Sequence, residues 1–119
     1  SWEKRNSYIS GGTGPHYYQE IEASPVDPQR VYQMDVFLQV TRDGGRTFGM
    51  LETGHDKHSD NHALWIDPAD PRHLLVGTDA GLYESFDEGV RWRMFPNLPV
   101  SQFYKVALSD RRPFYDILG

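Results

Sequence analysis

The sequence predicts an all-β protein built from repeated, four-stranded antiparallel units. Three observations lead to this prediction. A short motif occurs twice at a spacing of 44 residues, short apolar runs alternate with turns rich in Gly and Pro, and no stretch has the long amphipathic pattern of a helical repeat. A period near 44 residues is typical of β-propeller blades, so we expect a propeller fragment of about two complete blades with partial blades on either side.

The repeated motif is a hydroxyl residue followed at fixed positions by Asp, Gly and an aromatic ring. It occupies residues 41–48 and 85–92. A short carboxylate can accept hydrogen bonds from backbone N–H groups a few residues later, and glycine readily adopts a positive φ. Each copy is therefore expected to form a tight hairpin whose ring faces a core. The residues given this structural role are Asp43, Gly45, Phe48, Asp87, Gly89 and Trp92, and Trp2 is interpreted as the end of a third, truncated copy.

The flanking segments also repeat, which gives the expected order of strands. Residues 27–32 match residues 70–75 at a shift of 43. Each predicted strand has about five residues, the usual length in globular domains. The first full unit (17–52) is expected to have strands at 18–23, 30–34, 37–41 and 47–52. The second (62–95) is expected to have them at 62–67, 73–77, 81–85 and 91–95. A strand at 2–5 would end a preceding unit (1–6), and strands at 103–109 and 114–118 would begin a further one (103–119).

The length of the chain is short for a closed propeller. Its 119 residues hold fewer than three units, whereas closed propellers usually have roughly four to eight blades. The sequence also begins with Ser1, inside a truncated motif. We therefore expect a piece of a larger propeller, which associates with the remaining blades or self-associates through open strand edges.

Composition excludes several classes of function. The net charge is −5, and the 12 basic residues are scattered, so no nucleic-acid partner is expected. No apolar run approaches the ~20 residues of a membrane-spanning helix, so no membrane partner is expected. Cysteine is absent, and the sequence indicates no cofactor.

The strand order predicts where a ligand would bind. In a four-stranded meander, the turn between the second and third strands lies at the same end as the crossover to the next unit, and the repeated motifs lie at the other end. Candidate positions are therefore the crossovers at 10–17, 53–61 and 96–102. The proposed ligand-binding residues are Asp35, His58, Asn61, His62 and Tyr17. The Gly-rich segment before Tyr17 is interpreted as a connection rather than a phosphate loop, because no strand precedes it and no helix follows.

The crossover at residues 54–62 holds three of the five histidines and two carboxylates. Imidazole and carboxylate together suit zinc and other divalent ions, so a metal site is one interpretation. His58, Asp60 and His62 would share a side only in an extended segment. A polar crossover whose side chains hydrogen-bond the neighbouring blades is favoured, and no metal is assigned.

The motif resembles the Asp-box, or bacterial neuraminidase repeat, of sialidases, sortilin-type propellers and xyloglucanase-type glycoside hydrolases. The sequence of residues 58–68 and 75–84 is similar to that of large sortilin-like proteins labelled as glycosyl hydrolases. This resemblance covers nearly the whole chain. It implies that the Asp-boxes are structural, and it favours a secreted or periplasmic location.

The resemblance also suggests two kinds of activity. Residues 77–81 are similar to a stretch that carries a catalytic Asp in xyloglucanase-type enzymes, which makes Asp79 a candidate catalytic residue, with Asp60 as a second carboxylate. The equivalent segment around Asp35 lacks the Thr and Gly of that stretch. The first hypothesis is thus a carbohydrate-directed fragment, binding or hydrolysing glycosides in the intact protein and inactive alone. The alternative is a sortilin-like scaffold that binds proteins or peptides without catalysis.

Overall fold

The computed structural model describes residues 1–7, 20–52, 56–99 and 105–118. In these ranges the chain forms ten β-strands in three antiparallel sheets of four, four and two strands, and it forms no helix. A helix that could span a membrane is accordingly not found in this part of the chain. The predicted all-β class is confirmed, and the two four-stranded sheets are compatible with successive blades of a propeller.

The two large sheets have the same strand order, with each strand paired to the next in sequence. The first sheet contains β1 (Glu20–Ala23), β2 (Val31–Met34), β3 (Gln39–Thr41) and β4 (Gly49–Met50). The second sheet contains β5 (Asn61–Ile66), β6 (Leu74–Thr78), β7 (Gly81–Ser85) and β8 (Arg93–Met94). The remaining hairpin contains β9 (Ala107–Leu108) and β10 (Ile117–Leu118). The first sheet therefore falls within the first predicted unit, and the second sheet matches the second unit except that β5 begins one residue earlier, at Asn61.

Each sheet has a front face and a back face, because side chains alternate along a strand and paired residues share a side. In the first sheet the front face carries Ile21, Val31 and Thr41, and the back face carries Tyr32, Met34, Leu38, Val40 and Leu51. In the second sheet the front face carries Leu64, Ile66, Leu74, Val76, Tyr83 and Trp92, and the back face carries Trp65, Leu75, Leu82 and Phe95.

The hydrophobic core lies between the two large sheets. All ten of its buried apolar residues belong either to the back face of the first sheet or to the front face of the second. Leu38, Leu74 and Val76 are completely inaccessible to solvent. The sheets are thus stacked in the same sense, back face on front face, as successive repeats would be.

The two copies of the repeated motif form the predicted tight turns. In the first turn motif (residues 41–48), the Asp43 carboxylate accepts hydrogen bonds from the backbone N–H groups of Arg46 and Thr47, both at 2.9 Å. The Thr41 hydroxyl accepts from the N–H of Gly45, which has a φ of 85°. The motif is therefore held by its own short polar side chains.

The second turn motif (residues 85–92) repeats this bonding. Asp87 accepts a hydrogen bond from the Arg91 N–H at 2.9 Å, and the Ser85 hydroxyl accepts from the Gly89 N–H at 2.8 Å. Trp92 then enters the core with only 8% of its surface exposed. In both copies the Asp and Gly residues hold a turn, and Phe48 is half-buried at the position equivalent to Trp92.

Three sequence-based expectations about the strands are wrong. Residues 2–5 form no strand, and Trp2 is fully exposed instead of packing in a core, since no described strand lies beside that segment to pair with it. The outer strands β4 and β8 have two residues instead of about five, and so do β9 and β10. For β4 and β8 the reason is local. The motif carboxylates bind the N–H groups just before these strands, so the sheet ladder starts later than the apolar pattern suggests.

The hydrogen bonds to Asp43 in the first turn motif should make the folded chain less stable in acid. Hydrogen bonds from Thr47 and Thr41 hold the pKa of Asp43 well below its usual range, and the backbone N–H of Arg91 lowers that of Asp87. A carboxylate with a lowered pKa stabilises the folded state above the ordinary Asp pKa of about 3.9, and this contribution is lost as the pH falls below that value. We expect Asp43→Asn to be less stable than the wild type at neutral pH and to lose less on acidification. Urea unfolding at a series of pH values measures both effects.

The matched control for this substitution is Asp110→Asn, which changes an exposed Asp outside both turn motifs. It is expected to keep the neutral stability and the acid sensitivity of the wild type. An Asp43→Asn variant with an unchanged acid profile would contradict the assignment of that sensitivity to the turn.

Candidate functional site

Two loops predicted to form the site meet at one end of the sheets. They are the turn after β2 and the crossover that leads into β5. The Asp60 N–H donates to the Val36 carbonyl at 2.8 Å, and the Asn61 N–H donates to the Asp35 carbonyl at 3.0 Å. The predicted convergence of turn and crossover is therefore observed, and backbone hydrogen bonds fix it.

Asn61 is the centre of this junction. It is completely buried, and its amide nitrogen donates to the carbonyls of Asp35 and Val36, both at 3.0 Å, and to Glu52 Oε1 at 2.9 Å. Its amide oxygen accepts a hydrogen bond from Lys57 Nζ at 2.5 Å. All polar atoms of the side chain are engaged within the chain, so Asn61 positions the junction and has no surface to offer a ligand.

Lys57 and Glu52 form a buried ion pair beside Asn61. Lys57 Nζ lies 2.7 Å from Glu52 Oε1, and the two side chains are only 1% and 9% exposed. Nζ also donates to the His58 carbonyl, and Glu52 Oε1 accepts from the Leu38 N–H, both at 2.8 Å. Burial lowers the pKa of Lys57, and the hydrogen bond and charge of Glu52 oppose that shift. The pair joins the outer end of the first sheet to the crossover.

Sequence reasoning missed this ion pair. Lys and Glu are almost never fully buried unless they are paired, so either residue alone is normally expected at the surface. Glu52 lies at the end of a predicted strand and Lys57 in a polar crossover, and only the fold brings them together. The sequence gives one weak indication of the pair: Lys57 is the one lysine in the crossover at residues 54–62.

Asp35 is 2% exposed, and its carboxylate oxygen accepts the Val36 N–H at 2.7 Å. This contact belongs to the turn itself. Like Asn61, Asp35 lies inside the junction, and its effect on any ligand would be to position neighbouring groups.

The accessible part of the site is a pair formed by His62 and Asp79. Their Nε2 and Oδ1 atoms are 2.6 Å apart, and the side chains are 35% and 61% exposed. His62 comes from the start of β5, and Asp79 from the tight turn between β6 and β7. Gly81, with a φ of 131°, completes that turn, in which the Ala80 N–H donates to the Thr78 hydroxyl. Two residues predicted to share the site are thus in direct contact at the surface.

The other predicted residues contribute less to this pair. His58 is exposed, and its Nδ1 lies 2.8 Å from the Ser59 carbonyl. The Asp60 carboxylate accepts the Ser59 hydroxyl at 2.7 Å, and its backbone has a φ of 62°, a left-handed conformation that Asp tolerates better than most residues. Asp60 therefore shapes the bend that leads into β5. Tyr17 lies outside the described residues.

Within the described ranges, His, Asp and Glu side chains form no group of three or more that could hold a metal ion. The two carboxylates of the crossover have other partners. Asp60 is bonded to Ser59, and Asp56 Oδ2 accepts the Trp92 N–H at 2.8 Å. The described geometry therefore agrees with a polar crossover that bonds its neighbours.

The contact of Asp56 with Trp92 corrects one sequence-based expectation. The turn motifs were expected at the end opposite the crossover, but the second motif touches it. Lys57 Nζ also lies 5.6 Å from the centre of the Trp92 ring. The reason is the shortness of β4 and β8: two residues span only about 7 Å, so the two ends of each outer strand lie close together.

Comparison with protein families and with curated proteins found no match for this chain.

Proposed function

We propose that the chain is a two-blade portion of an Asp-box propeller and that it binds carbohydrate at the His62–Asp79 pair. The single observation that carries the binding proposal is this exposed imidazole–carboxylate contact at 2.6 Å. It lies at the sheet end where turn and crossover converge. The stacking of two sheets with the same strand order and the same turn motif supports the propeller part of the proposal.

The chemistry of the pair suits sugar hydroxyl groups. A carboxylate is a strong hydrogen-bond acceptor, and hydrogen bonds to charged groups contribute about 1.5–3 kcal/mol. The contact with His62 fixes the orientation of Asp79 and so reduces the entropy lost when a ligand binds. The buried Asn61–Lys57–Glu52 network beneath the pair holds the start of β5 in place. The site therefore combines a rigid base with an accessible polar pair.

Binding is favoured over glycoside hydrolysis by this portion of the protein. Hydrolysis commonly needs two carboxyl groups on either side of the scissile bond. Asp79 is paired with His62, and Asp60 is bonded to Ser59 within a bend. Asp79 would become catalytic only with an acid supplied from another part of a complete propeller.

The test is isothermal titration calorimetry of the chain against a panel of soluble oligosaccharides. Asp79→Asn and His62→Gln are each expected to lower the affinity for the best ligand about tenfold or more, as the loss of a charged hydrogen bond predicts. Asp110→Asn, an exposed Asp in the turn between β9 and β10, is the matched control and should bind as the wild type does. Equal binding by all three variants would remove the pair from the site.

The alternative function is a peptide-binding scaffold. It is favoured by β1, an edge strand of the first sheet whose four residues are all exposed, since an extended peptide can add to such an edge through backbone hydrogen bonds. The same calorimetry with unstructured peptides in place of sugars distinguishes the two functions. Peptide binding that Asp79→Asn does not alter would favour the scaffold.

A further inference from the structure

A groove of about 380 Å³ lies on the front face of the first sheet. Ile21, Val31, Phe48 and Gly45 form much of its wall, with Arg5 and Asn6 at one side. Ile21 is 70% exposed, although it lies in the middle of a strand. The groove is therefore an apolar surface on a regular sheet.

The same face of the second sheet shows how such a surface is covered. The repeat shifts of 43 and 44 residues relate Val31 to Leu74 and Phe48 to Trp92. Leu74 and Trp92 are buried, whereas Val31 and Phe48 are only partly buried. The difference arises because the back face of the first sheet packs on the front face of the second.

One close point of that packing is at a glycine of the second turn motif. A Cβ added to Gly89 would lie 2.7 Å from Leu51 Cδ2, so Leu51 sits directly on the Gly89 backbone. The equivalent glycine is Gly45. A Cβ there would meet Arg5 at 3.6 Å, which is a looser contact made by a side chain that is 42% exposed. The first turn motif thus has the shape that accepts a side chain like Leu51.

The chain also carries the complementary surface, on the back face of its second sheet. Phe95 is the repeat equivalent of Leu51: its N–H donates to the Leu82 carbonyl at 3.0 Å, as the Leu51 N–H donates to the Leu38 carbonyl at 2.9 Å. Trp65 is 47% exposed on the same face. Glu84 on this face is already paired with His73 and Arg93, so covering it would leave no unpaired charge.

We propose that a second copy of this chain docks into the groove through the back face of its second sheet. The docking repeats the contact already made between the two sheets of one chain, and it places Phe95 of the second copy over Gly45 in place of Arg5. The two surfaces are different, so the interface is heterologous and joins copies head to tail. This association uses sheet faces, in contrast to pairing through strand edges.

The test is sedimentation velocity of the full chain from micromolar to millimolar concentration. The wild type is expected to associate. Ile21→Asp places a charge in the groove, and Phe95→Asp places one on the back face of the second sheet. Each substitution should weaken association about a hundredfold, because it buries an unpaired charge in the interface. Val26→Asp is the control: it lies in the turn between β1 and β2, is 57% exposed and is outside the groove, so it should associate as the wild type does.

Mixing the two disabled variants gives the sharpest result. The Ile21→Asp chain keeps its back face and the Phe95→Asp chain keeps its groove, so the mixture should form a dimer that grows no further. Circular dichroism checks that each variant folds, and Trp65→Asp replaces Phe95→Asp if the latter does not. A wild type that remains monomeric throughout, or a mixture that remains monomeric, overturns the proposal.

One further variant separates this interface from the isolated hairpin. Leu108→Asp changes an exposed residue of β9, which pairs only with β10 among the described strands. It should leave association unchanged. Association that is lost in Leu108→Asp but retained in Ile21→Asp would move the contact to the hairpin and overturn the proposal.

Discussion

Asn61→Ala is expected to destabilise the folded chain by about 3–5 kcal/mol. The substitution removes the two N–H donors of the Asn61 amide, which are shared among three acceptors, and the acceptor of the hydrogen bond from Lys57. Lys57 and Glu52 then remain buried with one partner fewer each, and the carbonyls of Asp35 and Val36 lose a donor. The bonds to Lys57 and Glu52 involve charged groups and contribute about 1.5–3 kcal/mol each, which is why the expected loss exceeds that of an ordinary surface change. Urea unfolding at neutral pH, followed by tryptophan fluorescence, measures it.

Asn97→Ala is the matched control, since Asn97 is an exposed residue in a turn of the same chain. Its free energy of unfolding should stay within about 0.5 kcal/mol of the wild type. Asn61→Asp separates shape from hydrogen bonding, because it keeps the size of the side chain and loses its donors. It should also be strongly destabilised, despite the new charge opposite Lys57. An Asn61→Ala variant as stable as the Asn97→Ala control would show that the network does not hold the two sheets together.

The fold could be predicted largely because the chain repeats. A repeated Asp and Gly at a fixed spacing located both turns, and the short apolar runs between turns located the strands of the two large sheets. The ends of the strands were less predictable. The Asp43 and Asp87 carboxylates take backbone N–H groups that a strand would otherwise use, and this competition is not visible in a hydrophobic pattern.

The candidate site was predictable in position and less so in chemistry. Strand order alone brings the β2–β3 turn to the crossover, and this convergence is observed. Whether a polar residue there faces solvent or the interior depends on the packing of both sheets, which the sequence does not encode locally. Asn61 and Asp35 are therefore internal. His62 directly follows Asn61, and Asp79 is the repeat equivalent of Asp35 at a shift of 44 residues, yet these two form the accessible pair.

Gly89→Ala is expected to destabilise the chain by about 2–4 kcal/mol, the second large effect that the structure predicts. Gly89 has a φ of 86°, a conformation that alanine adopts only with strain. The added Cβ would also lie 2.7 Å from Leu51 Cδ2 and 3.0 Å from Trp92 Cζ2, so the two sheets would have to separate. The free energy of unfolding from urea titration gives the total effect.

The matched control is Gly49→Ala, in β4, where an added Cβ has no heavy atom within 4 Å and the backbone is not left-handed. It should change stability by less than about 1 kcal/mol. The double variant Leu51→Ala with Gly89→Ala tests the steric part. Leu51→Ala alone is expected to cost about 2–5 kcal/mol through its cavity, but it also makes room for the new methyl group, so the double variant should lose less than the sum of the single losses. Strict additivity would contradict a direct contact between Leu51 and the turn. Because the same contact is the template for docking at Gly45, it would also weaken the case that a second copy docks there.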